Sequence, residues 1–233
     1  MSYKKVIAIG DSFTRGDELA DLTDHSENSD ECYGLTYSTL TWPALVAKFL
    51  NADYIPKAVG GRGNQWMSWE VAASIHSYGT VDCFYIVNWS WFERFDYVDI
   101  DDDSWLTTHP RHENKLDHYF YRNLDSDLWN LHRNLQQIHS TIALLKQFNI
   151  NFIMTCNDTL YKTDICSTRN TGSTPGWKKV TDVLDISSEI TMFDNMTFLE
   201  WSKHNKFEIG TNGHPLEEAH AAAAKYMQQR ITL

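Results

Sequence analysis

Short apolar runs alternate along the chain with stretches in which apolar residues recur at helical spacing. The runs 6–10, 81–90 and 150–156 are continuous and end at turn residues, which is typical of strands covered on both faces. A weaker strand-like segment precedes Gly60, and a short strand is predicted at 190–193. The helices predicted between and after these strands are 42–50, 65–78, 126–149 and 215–229.

Strands that alternate with helices at this spacing predict a three-layer α/β/α fold around a parallel, five-stranded sheet. Reactive groups in such folds collect beyond the carboxyl ends of the strands, so the loops at those ends are the first places to search. These loops are residues 10–14, 60–64, 88–94, 156–158 and 210–214.

The length of 233 residues and the continuous alternation predict a single domain over 1–233. Two segments interrupt the pattern: an acidic loop at about 17–40 and a polar, aromatic insertion at about 94–125. A loop as long as the second one is usually a lid or a substrate-binding insert in a compact domain. The insertion is therefore predicted to be lid-like.

The formal net charge of −11 argues against a nucleic-acid partner, because phosphates require a basic footprint. No apolar run approaches the roughly 20 residues of a membrane span, and the first strand begins too close to Met1 for a signal peptide. The four cysteines form no CxxC pair, and Cys83 and Cys156 fall in apolar runs, which favours reduced thiols. We therefore expect a cytoplasmic protein without a membrane partner, and the sequence leaves its oligomeric state open.

Three histidines lie close together in the insertion and raise the question of a metal site. His109, His112 and His118, with Asp117 beside the last, match no established zinc-ligand spacing. The glycine-rich segment 60–64 is not followed by the GK[ST] of a phosphate-binding loop. We expect neither a metal nor a cofactor.

The first strand ends in Gly-Asp-Ser-Phe-Thr, which places Ser12 at the rim of the predicted sheet. A serine hydroxyl attacks a carbonyl efficiently when a base accepts its proton and hydrogen-bond donors face the developing oxyanion. His214, in the loop that leads into the last helix, is the candidate base. The candidate donors are the backbone N–H groups of Ser12 and Gly61, together with a side chain at Asn88 or Ser90.

These blocks, in this order and over nearly the whole chain, resemble the SGNH (GDSL-type) hydrolase superfamily. GDSF resembles its first block, with Ser12 as nucleophile; AVGGRGN resembles the second, with an oxyanion N–H on Gly61; GHPLEEAH resembles the last, with His214 as base. The third block reads NWSWFER, closer to a variant form in phage-encoded relatives that puts Ser90 in the donor position, with Asn88 as the alternative. The resemblance implies a flavodoxin-like SGNH fold and a reaction without a metal.

The resembled family carries an Asp two or three residues before the histidine, which holds the imidazole in the productive tautomer. This chain has Asn212 and Thr211 there, and neither supplies a carboxylate. The candidates for the group that orients His214 are Asp158, Glu208, a backbone carbonyl, or Asn212 and Thr211 themselves. Otherwise catalysis is weak or absent.

The predicted activity is that of a serine esterase that hydrolyses small or carbohydrate-borne O-acetyl esters. Trp89, Trp91 and Trp105 lie near the predicted site and favour a sugar over a long acyl chain. The alternative is a catalytically impaired carbohydrate-binding or structural module on the same fold, which the missing Asp supports. A transferase that passes the acyl group to a sugar would use the same nucleophile and base.

Three further side chains are interpreted as structural. Asp11 is predicted to orient the turn by accepting hydrogen bonds from neighbouring N–H groups. Arg94 is predicted to form a salt bridge, beside Glu93, that anchors the insertion. His220 is predicted to contribute to the packing of the last helix.

Overall fold

The computed structural model describes residues 3–22, 37–109, 115–159 and 175–231. Residues 23–36 of the acidic loop, the two cysteines Cys32 and Cys166, and His112 of the insertion lie outside these ranges. The other two cysteines, Cys83 and Cys156, are buried, and neither forms a disulfide within the described residues.

A parallel sheet forms the centre of the fold, as the alternation of strands and helices predicts. The strands along the chain are β1 (Lys5–Gly10), β2 (Asp53–Ala58), β3 (Cys83–Trp89), β4 (Phe95–Val98), β5 (Trp105–Thr108) and β6 (Asn151–Cys156). The central sheet has the order β2-β1-β3-β6, and all its neighbours pair in parallel. β3 is buried at every position, which explains why its sequence is one continuous apolar run.

The predicted fifth strand at 190–193 is not confirmed. In the described part of the chain this segment contributes one parallel bridge, between Ile190 and Met154, and Thr191 N–H donates to the Met154 carbonyl at 2.7 Å. Asp194 and Asn195 then adopt φ angles of 50° and 64°, so the chain turns before a ladder can form. Within the described residues the sheet therefore has four strands and one bridging residue at its β6 edge.

Helices cover both faces of the sheet. They are α1 (Ser12–Arg15), α2 (Trp42–Phe49), α3 (Asn64–Tyr78), α4 (Lys115–Asn123), α5 (Asp127–Gln147), α6 (Pro175–Val183), α7 (Phe198–His204) and α8 (Glu217–Gln228). One face packs on α3 and α5 through a cluster that includes Met67 and Leu135, and the other packs on α2 and α8 through Trp42 and Met227. None of these described helices is both long and apolar enough to cross a bilayer.

Two helices begin where their sequence signals predict. The Thr41 hydroxyl caps α2 by accepting from the Ala44 N–H, and Pro43 lies in the first turn, where a missing N–H is harmless. The Ser126 hydroxyl caps α5 in the same way, by accepting from the Trp129 N–H at 3.2 Å. These local signals fix the starts of helices on both faces of the sheet.

Helix α3 begins one residue before the predicted start at 65, and its cap comes from a distant part of the chain. Asn64 is its first residue and Gly63 is the N-cap position, which carries no side chain to accept a hydrogen bond. The Asp96 carboxylate, from the insertion, accepts from Gly63 N–H at 2.8 Å and from Trp66 N–H at 2.9 Å. A residue 30 positions away in sequence thus satisfies the helix terminus, which local sequence reasoning does not detect.

The insertion is folded where the structure describes it. β4 and β5 form an antiparallel hairpin, and α4 follows it. Phe95 stacks on Phe120 with ring centroids 4.8 Å apart, and Trp129 of α5 packs against both rings. The insertion is thereby attached to α5 through aromatic contacts and to α3 through Asp96, while its role as a lid stays a prediction.

The strand order places a crevice at the end of β1. β2 pairs with one side of β1 and β3 with the other, so the chain connections diverge between β1 and β3. Ligands of open α/β sheets bind outside the carboxyl ends of the strands at such a point. The loops after β1, β2 and β3 meet there.

Candidate active site

Ser12 begins helix α1 directly after β1, at the carboxyl edge of the sheet. Asp11 is the N-cap residue, and its carboxylate accepts from the Phe13 N–H at 3.2 Å, as the sequence predicts for this side chain. Ser12 is 7% exposed. The turn therefore holds the serine at the sheet edge in a largely desolvated position.

His214 lies in the loop before α8, and backbone contacts close that loop. Gly210 N–H donates to the His214 carbonyl at 2.8 Å, and an isolated bridge joins Ile209 to Pro215. The imidazole packs on Phe13, the residue after Ser12, with ring centroids 5.2 Å apart. Among the described residues no hydrogen bond joins Ser12 Oγ to the ring, so the two predicted residues are brought to neighbouring positions without direct bonding.

Glu18, which the sequence analysis did not select, holds the imidazole. Its Oε2 lies 2.8 Å from His214 Nδ1, and it also accepts from the His214 backbone N–H at 3.3 Å. The Asn212 N–H donates to Oε1 at 2.9 Å, and the Thr211 hydroxyl donates to the same oxygen at 2.8 Å. The carboxylate thus binds both the ring and the loop that carries the ring.

These contacts also set the charge of Glu18. Burial would by itself raise the pKa of Glu18, but the hydrogen bonds from Asn212, His214 and Thr211 outweigh it and lower the pKa to about 2. Gly210 faces the carboxylate so closely that a Cβ there would lie 2.6 Å from Glu18 Oε2. The loop is therefore shaped around an ionised Glu18 that contacts the imidazole at Nδ1.

The other predicted candidates for the orienting group lie elsewhere. Asp158 Oδ2 accepts from the Phe92 N–H at 2.9 Å, and His214 Nδ1 bonds Glu18 instead. The Glu208 side chain is exposed, and its backbone carbonyl accepts from Leu216 N–H. Thr211 and Asn212 do act at this place, but on Glu18 rather than on the imidazole.

Glu18 was missed because no short-range pattern marks it. It is 196 residues from His214 along the chain, and it stands among many acidic residues that read as a solvated loop. Its φ of 68° is left-handed, a conformation that composition does not reveal for a glutamate. One signal could have pointed to Glu18. The residues that follow the nucleophile turn leave the carboxyl end of β1, so they lie close to the crevice where ligands bind in such sheets.

The backbone N–H groups of Ser12 and Gly61, both at the crevice, donate no hydrogen bond within the described chain. Val59 N–H donates to the Gly10 carbonyl at 3.1 Å, which brings the loop after β2 against the nucleophile turn. Gly61 has φ 79°, and no atom lies within 4 Å of a Cβ built there. The role of these two N–H groups as oxyanion donors stays a prediction.

The two side-chain candidates for the third donor differ in position. Asn88 lies within β3, where its Oδ1 accepts from the Thr155 hydroxyl at 2.7 Å, and its Nδ2 has no partner among the described residues. Ser90 follows the end of β3, where its hydroxyl donates to Asp11 Oδ2 at 3.0 Å and accepts from Arg94 at 2.6 Å. Ser90 therefore contacts the residue before the nucleophile directly.

Asp11 is the centre of a second cluster of charges, wholly buried beneath Ser12. Arg94 donates to its Oδ2 at 3.1 Å, and Asn157 Nδ2 donates to the same oxygen at 3.2 Å. The predicted ion pair of Arg94 is thus formed with Asp11. It joins the loop after β3 to the nucleophile turn.

His220 is part of the core, as predicted, and not of the crevice. Its Nδ1 accepts from the Trp42 N–H at 3.0 Å, at the start of α2, and its ring packs edge-on against Phe198. Burial lowers the pKa of His220 to about 3, and the nearby His214 adds to this effect. A ring held neutral as an acceptor is suited to structure rather than to proton transfer.

The chain matches no protein-family model and no curated protein sequence. Solved structures are similar to it: a protein named TesA has a TM-score of 0.54 at 10% identity, with 97% of each chain covered. A catalytic mutant of an acetylxylan esterase from Geobacillus stearothermophilus has a TM-score of 0.51 at 13% identity, covering 100% of this chain and 97% of that one. A lipolytic G-D-S-L family protein from Veillonella parvula has a TM-score of 0.49 at 13% identity, with 97% of each chain covered.

At this identity the likeness to the two structures with scores above 0.5 establishes the fold. The α/β fold with a parallel sheet that the sequence predicts is confirmed.

Proposed function

We propose that the protein is a serine esterase of the SGNH type, in the variant form that its third block resembles. Ser12 is the nucleophile, His214 is the general base and then the general acid, and Glu18 orients and stabilises the imidazole. The substrates proposed are small or carbohydrate-borne O-acetyl esters.

The observation that carries this proposal is the 2.8 Å contact of His214 Nδ1 with an ionised Glu18, beside Ser12. A carboxylate on Nδ1 fixes the tautomer with a proton on Nδ1, so that Nε2 is the basic atom available to a hydroxyl. This chain has an Asn and a Thr where the resembled family usually has an Asp. In the proposal, the Glu18 carboxylate takes the place of that Asp. Glu18 takes the role from a loop after β1 instead of the loop before α8.

The reaction then proceeds in two steps. Ser12 Oγ attacks the ester carbonyl as its proton passes to His214 Nε2, and the carbonyl oxygen becomes an oxyanion. The bond to the alcohol then breaks, and the alcohol leaves with the proton from His214, which gives an acyl-Ser12 intermediate. Water repeats the sequence on the acyl group and releases the carboxylic acid and free Ser12.

The oxyanion is bound by the N–H groups of Ser12 and Gly61, with Ser90 as the third donor. Ser90 stands past the end of β3 in contact with Asp11, whereas Asn88 lies one pleat earlier beside Gly10. A third donor at Ser90 predicts that Ser90→Ala lowers kcat by about 10²-fold, the cost of removing one such donor. A large loss in Asn88→Ala with no loss in Ser90→Ala would assign the role to Asn88.

A sugar-borne ester is favoured by the aromatic surface at the site. Trp91 is partly exposed and packs on Phe13 at 5.4 Å, on the same ring that contacts His214. Flat indole faces bind the apolar faces of sugars. One structure of similar fold is an acetylxylan esterase, which supports the same class of substrate.

The second candidate function is a carbohydrate-binding module that has lost turnover. It is favoured by the lack of a hydrogen bond between Ser12 Oγ and His214 in the described residues. Such bonds are often long in the free enzyme and tighten when substrate binds, so the hydrolase stands first.

The test is hydrolysis of p-nitrophenyl acetate and of acetylated xylo-oligosaccharides by the wild type, Ser12→Ala and the control Ser187→Ala. Ser187 is an exposed serine whose hydroxyl donates to Asp185, and it has no contact with the predicted site residues in the described structure. We expect acetate release by the wild type and the control and none by Ser12→Ala. Binding of the oligosaccharides without acetate release by the wild type would support the module instead.

A further inference from the structure

We propose that Arg94 is a positioning residue of the oxyanion site: it holds the three loops that bear the donors in one arrangement. The proposal rests on the esterase function above and adds a residue to it. Arg94 touches none of the reacting atoms and acts through Asp11, Ser90 and the loop of Gly61.

One guanidinium nitrogen makes all three connections. Arg94 Nη1 lies 3.1 Å from Asp11 Oδ2, 2.6 Å from Ser90 Oγ and 3.1 Å from the Arg62 carbonyl. These acceptors belong to the turn after β1, the loop after β3 and the loop after β2, in that order. The loops that converge at the carboxyl edge of the sheet are thus tied at a single charged atom.

The pair is buried and fixed in place. The Arg94 side chain is 8% exposed and that of Asp11 is fully buried, so water screens their attraction little. The guanidinium also lies over the Trp91 ring, 4.6 Å from its centroid. A planar guanidinium offers fixed donor directions, which a flexible ammonium does not.

The contact with Ser90 determines which way its hydroxyl can point. The hydroxyl has one proton, and in the free protein it donates this proton to Asp11. Arg94 donates to one lone pair of Ser90 Oγ, so the hydroxyl proton cannot point towards Arg94. The proton can then rotate only between Asp11 and an oxyanion. When it turns to the oxyanion, Asp11 keeps its hydrogen bonds from Arg94, Asn157 and Phe13 N–H, so no buried charge is left alone.

The contact with Arg62 fixes the neighbouring donor. Gly61 has a left-handed φ and open space around it, so its own contacts do not define the direction of its N–H. The Arg62 carbonyl on one side is held by Arg94, and Gly63 N–H beyond it is held by Asp96. The Arg62 N–H donates to the Val59 carbonyl at 3.4 Å, so loss of Arg94 removes one of the anchors that flank the Gly61 amide.

The experiment compares Arg94→Gln and Arg94→Lys with the control Arg133→Gln, using p-nitrophenyl acetate. Arg133 is a mostly buried arginine on α5 that donates to the carbonyls of Phe92 and Arg94, the same loop, without touching Asp11, Ser90 or Arg62. We expect Arg94→Gln to lower kcat by about 10²-fold with KM within about threefold, because misplaced donors act on the transition state. Arg94→Lys is expected to lose less, since an ammonium can still reach Asp11 and Ser90.

A double-mutant cycle provides the readout that a purely structural role would not move. Ser90→Ala is expected to lower kcat much less in the Arg94→Gln background than in the wild type, because Arg94 acts through Ser90. Equal losses in both backgrounds, or equal kcat losses in Arg94→Gln and Arg133→Gln, would overturn the proposal. A wild type that fails to hydrolyse esters contradicts the esterase function itself, whereas an active wild type with an unaffected Arg94→Gln contradicts this inference alone.

Discussion

Two carboxylates flank Ser12, and they do different things. Asp11 precedes it and is fully buried, where a fixed cation, Arg94, pairs with it at 3.1 Å. Glu18 follows it by six residues and stays partly accessible, where it pairs with the titratable ring of His214 at 2.8 Å. The two groups have the same chemistry and differ in their partner and in their access to water.

This difference predicts different roles for the two carboxylates. A carboxylate bound to a permanent cation keeps one charge state and holds the loops together. In the proposed mechanism, a carboxylate bound to an imidazole matters most when that imidazole accepts the proton of Ser12 during the attack. We therefore expect loss of Asp11 to lower both stability and, through Arg94 and Ser90, kcat, whereas loss of Glu18 should lower mainly the rate.

The largest effect is expected for the base. His214→Ala removes the proton acceptor of Ser12, so kcat for p-nitrophenyl acetate should fall by about 10⁶-fold, towards the background of binding and the oxyanion donors. The control is His204→Ala, an exposed histidine at the end of α7. Activity of His214→Ala within tenfold of the wild type would remove this residue from the mechanism.

Glu18→Gln should come next. A glutamine keeps the shape but supplies no charge for the imidazolium, so kcat should fall by about 10⁴-fold, as when the acid of a triad becomes an amide. Glu18→Asp should retain part of the rate, and Glu218→Gln, on the exposed side of α8, should retain all of it. Steady-state kinetics of the three variants test this prediction. An unchanged kcat in Glu18→Gln would contradict the role in catalysis that distinguishes Glu18 from Asp11.

Asp11→Asn should lower the stability of the protein as well as its rate. It leaves the Arg94 guanidinium buried without its counter-charge, which costs about 3–5 kcal/mol of the free energy of unfolding. Glu18→Gln should cost less, about 2 kcal/mol, because the hydrogen bonds that lower the pKa of the carboxylate become bonds to a neutral amide. Urea unfolding of the two variants and the wild type gives the comparison, and equal losses would contradict the division of roles.

The smallest effect concerns pH. The pKa of Glu18 is lowered from its ordinary 4.5 to about 2 in the folded protein, so its stabilising contribution is complete above about pH 4.5 and is lost as the pH falls towards 2. The Tm difference between the wild type and Glu18→Gln should therefore shrink over that window. His220 destabilises both proteins in acid, because its folded pKa of about 3 lies below its ordinary 6.5, and its effect cancels in the difference. A constant Tm difference from pH 6 to pH 2.5 would argue against an ionised, hydrogen-bonded Glu18.

The same contrast explains what the sequence could predict. The elements around Asp11 are marked locally, by a continuous apolar strand and a turn, and Thr41 and Ser126 mark helix starts in the same way. Glu18 and Asp96 act over 196 and 30 residues, at a loop and a helix start that they reach through the fold. Periodicity and capping patterns compare only residues that are close in sequence, so they cannot detect contacts over such separations.

The edge of the sheet gave another difference between pattern and structure. Residues 190–193 have the composition of a strand, yet Ile190 forms one bridge before the turn at Asp194 and Asn195. Whether a segment forms a strand depends on the neighbouring strand and on the space at the sheet edge. The sequence of four residues gives information on neither.

The central claim is that Ser12 is a nucleophile activated by His214 and Glu18. The most direct measurement is the rate of covalent labelling by a fluorophosphonate, followed by intact mass and by mapping of the modified peptide, for the wild type, Ser12→Ala and Glu18→Gln. We predict one adduct per chain on the Ser12 peptide, none in Ser12→Ala, and labelling slowed by at least about 10²-fold in Glu18→Gln. A wild type that takes up no label, or that takes it up at another residue, would contradict the account.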